Sequence, residues 1–95
     1  MANRRNFKKE INILQEEMIF DCMSFLNVNK KQSEENVADI ISEMLDVRET
    51  AFTEINKPTS KMSRQEVKER YGKIANLVVT NLDKSYETLS KIPRN

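Results

Sequence analysis

Between residues 7 and 25 apolar side chains recur at intervals of four, three, four, four and three: Phe7, Ile11, Leu14, Met18, Cys22 and Phe25. At 100° per residue they fall within a band about 80° wide, the core-facing stripe of an amphipathic helix over about 4–28. The spacing predicts a second helix over about 34–56. Ser33 stands as its N-cap, with Glu34 and Glu35 in the first turn, where the helix dipole favours acid. Its stripe is Val37, Ile40, Ile41, Met44, Leu45, Ala51, Phe52 and Ile55, and Lys57-Pro58 ends it, because proline disfavours helix in the residue before it. A third helix over about 64–91 opens with "SRQE", Ser63 to Glu66, the pattern of a capping box. Val67, Tyr71, Ile74, Val78, Leu82, Leu89 and Ile92 share its apolar face, and Pro93 stops it.

The connections, about 28–33 and 57–62, are of a length that joins antiparallel neighbours. The expected fold is an all-α, up-down-up three-helix bundle, with residues 1–95 forming one domain. Composition agrees: one glycine, two prolines and 33% charged residues suit long helices with few turns.

The stretch "MIFDCMSFL", residues 18–26, does not fit a helix with a single apolar face. Phe20 and Ile13 project almost directly away from the core stripe, seven residues apart and so on one line. Met23 lies close to that line, and Ile19 and Leu26 sit on the flank between the two faces. A helix apolar on both sides is normally covered on both sides. Two partner helices cover one of them, which leaves Ile13, Phe20, Met23, Ile19 and Leu26 as a candidate interface. Burying its large side chains is worth about 1.5–3 kcal/mol each. The expected occupant is a second copy of the chain, since two-fold dimers are the commonest oligomers, with another helical protein as the alternative.

Three polar positions interrupt the stripes. Asp21 lies at the edge of the first, at the level of Ile40 and Asn81 with Ser85 a turn later, and a polar layer in which it accepts hydrogen bonds from Asn81 or Ser85 is expected. Arg48 projects to the centre of the second stripe, so it must be paired or reach water along its stem. Glu10 and Glu17 are the expected partners, with the ring of Tyr71 close by. Gly72, with Ala75 and Val79, forms a small-residue flank that would admit a close backbone approach, or is tolerated drift.

Candidate chemistry is sparse. There is no histidine, which removes the commonest general base and most zinc arrangements. The single cysteine, Cys22, forms neither an intramolecular disulfide nor a zinc site by itself. Phosphate-binding loops, dinucleotide glycines, nucleophile elbows and calcium loops are all missing. The expectation is a non-catalytic protein-interaction module, without metal, cofactor or small-molecule substrate. The charged start "MANRRNFKKE" has no cleavage-site pattern and no apolar run reaches the length of a membrane span, so the cytoplasm is the expected location.

A net charge of +1 implies no polyanion partner in itself, but its distribution is uneven. An up-down-up array brings Arg4, Arg5, Lys8, Lys9, Lys57, Lys61, Arg64 and Lys68 to one end. Nucleic-acid binding through that end is the alternative function.

Overall fold

The computed structural model describes residues 4–92, with the backbone alone at 30–33. Three helices account for most of it: α1 (Arg4–Val28), α2 (Lys30–Asn56) and α3 (Arg64–Lys91), with no strand among the described residues. They pack up-down-up as the periodicity predicts. The result is a rod of 53 × 19 × 17 Å, in which α2 is the central helix and α1 and α3 touch each other least. The core runs along the rod as layers, with Ile11, Met18 and Cys22 from α1 meeting Val37, Ile40, Met44, Ala51 and Ile55 from α2. Ile74, Val78, Leu82 and Leu89 from α3, then Ile92, complete it.

The two ends of the rod are built differently. At one, Lys57–Ser63 joins α2 to α3. The Glu66 amide donates to Ser63 Oγ at 3.1 Å, and the Ser63 amide donates to Glu66 Oε1 at 3.2 Å. This is the expected capping box, and it satisfies two of the amide donors left open around the start of α3. Helix α2 stops at Asn56, as Lys57-Pro58 requires. The stop assigned to Pro93 lies outside the described residues, although α3 ends at Lys91.

At the other end, the predicted six-residue loop is replaced by one residue. Helix α2 starts at Lys30 rather than at 34, so Ser33 lies inside the helix and is not its N-cap. Asn29 makes the turn, at φ −127° and ψ 51°, and is buried. Its backbone amide and its Nδ2 both donate to the Phe25 carbonyl, at 2.9 and 3.2 Å. These bonds occupy one of the carbonyls left open where α1 ends. The polar Ser-Glu-Glu run that reads as a helix start lies within a helix already under way, and Glu34 and Glu35 are exposed on it.

Candidate interaction surfaces

The covered face of α1 is centred on Ile11, Gln15, Met18 and Cys22, all buried. Leu14, expected in the core, is 41% exposed, and Gln15 takes the place assigned to it. Successive helical residues point 100° apart, so covering one of this pair uncovers the other. Gln15 is accommodated because its Nε2 donates to the Met44 carbonyl at 2.9 Å, although its Oε1 has no partner. Leu45 of α2, also assigned to a core stripe, is likewise exposed.

The opposite face carries exposed apolar side chains. Ile13, Phe20 and Met23 are exposed, Phe20 by 73%, and they share the side of α1 turned away from the core. Ile19 and Leu26 are half-buried and pack against the core cluster, so they form the flank of the patch and not its centre. Val28, at the end of the helix, is as exposed as Phe20.

The polar positions pair differently from expectation. Asp21 is exposed and is not bonded to Asn81 or Ser85, both of which are buried. It lies instead beside Tyr86. Burial, followed by the Asp21 charge, holds the Tyr86 phenol above its ordinary range. The reason is rotational: Asp21 is on the flank of α1 facing α3, whereas Asn81 lines a cleft on the α2 side of α3 with Glu43, Val47 and Lys84. Asn81 Oδ1 is left without a partner. Arg48, half-buried, donates from Nη1 to Asn12 Oδ1 at 3.2 Å. Neither Glu10 nor Glu17 forms an ion pair with it among the described residues. Asn12 lies two residues beyond Glu10 and five before Glu17 and carries no charge, so the half-buried Arg48 head is held by a neutral acceptor. Gly72 faces open space: a Cβ there would meet nothing within 4 Å, so its small size serves no close approach. Cys22 is fully buried, and burial followed by the Asp21 charge pushes its thiol pKa up.

At the capped end the basic residues do converge, but not as eight equivalent charges. Lys57 pairs with Glu54 at 2.9 Å. Lys8 donates to Asn56 Oδ1 and stands 5.6 Å over the Phe52 ring. Arg4 donates to the Lys57 carbonyl at 3.2 Å, and Arg70 reaches the Lys57 and Pro58 carbonyls at 3.4 Å. Arg70 is missing from the sequence-derived set, yet it ties α3 to the connecting loop. No spacing in the sequence marks it, because its partners are backbone carbonyls of the loop. Beside α1, a cleft opens between the first turn of that helix, the loop and the first two turns of α3. Arg4, Arg64 and Lys68 line it over Thr59, Met62, Val67 and Tyr71, and Tyr71 stacks edge-on against Phe7 at 5.4 Å.

No metal-ligating cluster of three histidine, cysteine or carboxylate side chains occurs among the described residues, and no helix is long and apolar enough to cross a membrane. Comparison with protein-family models, curated proteins and solved structures finds no match to this chain.

Proposed function

We propose that this chain is a non-catalytic helical interaction module that pairs with a second copy of itself through the outer face of α1. The observation that carries this reading is Phe20, 73% exposed in the middle of a helix whose other face is already buried. Ile13 and Met23 extend the patch to either side of it, so a strip of apolar side chains, interrupted by the exposed Glu16 and Glu17, runs along about three turns of α1. Closing it against its own copy removes both strips from water at once, at about 25 cal/mol per Å². An isologous contact of this kind needs no second type of surface.

Sedimentation at micromolar concentration tests it: the wild type runs as a dimer, and the Ile13→Glu/Phe20→Glu variant runs as a folded monomer. A wild type that stays monomeric at high concentration would overturn the proposal.

A further inference from the structure

We infer that the cleft at the capped end is a binding site for an amphipathic anion, a phosphate or carboxylate carried on an apolar chain. Its composition sets it apart from other clefts along the rod. The cleft on the other flank of α3 balances Arg70 and Lys73 with Glu54, Glu66 and Glu69. The cleft farther along sets Lys84 and Lys91 against Asp39 and Glu43, with Lys84 and Glu43 paired at 3.0 Å. A shallow depression on α2 has Asp46, Glu49 and Glu54 and no cation.

In the cleft beside α1, three cations are lined up with no carboxylate among them. Arg64 and Lys68 form no ion pair among the described residues, and Arg4 is engaged only by a backbone carbonyl. Like charges held together without a counter-charge repel, and an anion seated between them relieves that repulsion. Guanidinium groups suit phosphate and carboxylate oxygens in particular, because their planar donors can bond two oxygens at once.

The start of α3 does not supply the site, since its capping box already fills it. The side chains do. Between the cations, Met62, Val67 and Tyr71 are half-buried and form an apolar floor, which a bare inorganic ion would leave uncovered. The combination therefore selects a charged head with an attached chain. A nucleic acid would be served better by a basic stripe following successive phosphates, whereas several of the cations around this end are already occupied.

Titration calorimetry of the full chain with octyl phosphate, below its micelle concentration, tests the assignment. Octyl phosphate is expected to bind at least tenfold more tightly than inorganic phosphate or octanol. Affinity should rise from hexyl to octyl phosphate by up to about fourfold per methylene, the equivalent of about 0.8 kcal/mol. Arg64→Gln/Lys68→Gln, both at exposed positions, should lose at least tenfold while circular dichroism stays unchanged.

Phosphatidylglycerol vesicles, with phosphatidylcholine as the neutral control, separate the two sources of such a head. Binding to the anionic vesicles that the double variant loses makes a membrane lipid the source, and binding to the monomeric amphiphile alone makes a free one the source. Either upholds the site. Octanol matching octyl phosphate, affinity indifferent to Arg64 and Lys68, or a short DNA oligonucleotide displacing octyl phosphate at lower concentration would each overturn it.

Discussion

Gln15 and Phe20, little more than a turn apart on α1, exchange the places their chemistry would assign them. The amide is 1% exposed and the phenyl ring 73%. Burying a side-chain amide costs free energy unless its hydrogen bonds are replaced, and Gln15 replaces only one, to the Met44 carbonyl. Exposing a phenyl ring forgoes about 1.5–3 kcal/mol of burial. Within the isolated chain neither arrangement is favourable on its own terms. The difference lies in who can correct it. Gln15 is enclosed by α2, so its cost is settled inside the fold, whereas the cost at Phe20 is removed only by something from outside.

The sharpest way to break this comparison is to charge the buried face. Met18→Glu places an uncompensated carboxylate at a site that is 0% exposed and should unfold the domain, a loss of several kcal/mol in urea denaturation. Leu14, being 41% exposed, lies off that face, and Leu14→Glu should leave a cooperative transition.

Gln15 itself gives the next largest effect. Gln15→Ala removes a packed side chain and should cost about 2–3 kcal/mol, in the range of large-to-small core changes. Gln15→Met preserves the volume, removes the unpartnered Oε1 and should be neutral to stabilising. If Gln15→Met costs as much as Gln15→Ala, the bond to the Met44 carbonyl is worth more than the geometry suggests.

Gly72→Ala moves away from both faces. With nothing within 4 Å of the added Cβ, helix propensity alone decides the outcome, and stability should rise by about 0.5–1 kcal/mol. A loss on thermal unfolding would mean that the flank is covered.

The smallest effect on the fold of a single chain is expected on the outer face. Ile13→Glu/Phe20→Glu should change the monomer's stability by no more than about 0.5 kcal/mol per site, as surface changes do. What should vanish is concentration dependence. The unfolding midpoint of the wild type should rise with protein concentration and that of the variant should not.

Most of the helical framework was legible because its signals are local. Ser63 and Glu66 announce their cap by type and spacing, and Lys57-Pro58 leaves helix no way to continue. The turn at Asn29 was not legible, since neither glycine nor proline marks it. Its stability comes from Asn29 bonding back to the Phe25 carbonyl within a buried corner, which only the packed pair of helices creates. Ser33 was misleading for a related reason: a residue suited to a cap is also tolerated in a first turn. The choice between Leu14 and Gln15 depends on a rotation of α1 of less than one residue's turn, and hydrophobicity alone points the wrong way. The same rotation decides which flank of α1 Asp21 occupies, and so sends it to Tyr86 instead of Asn81. Ile13 and Phe20, by contrast, lie far from the boundary between the faces, so a small rotation of α1 leaves both exposed.

The burial of Cys22 makes the wild-type chain its own clock for breathing. Its thiol is shielded on every side and burial raises its pKa, so an alkylating reagent reaches a reactive thiolate only after α1 lifts from α2. Since the chain has no other cysteine, each labelled molecule records one such opening. Where reclosing outruns alkylation, the labelling rate divided by that of an unshielded thiol is the equilibrium constant for opening around Cys22. If that constant equals the one for global unfolding, α1 leaves only when the whole rod melts; if it is larger, α1 detaches as a separate unit.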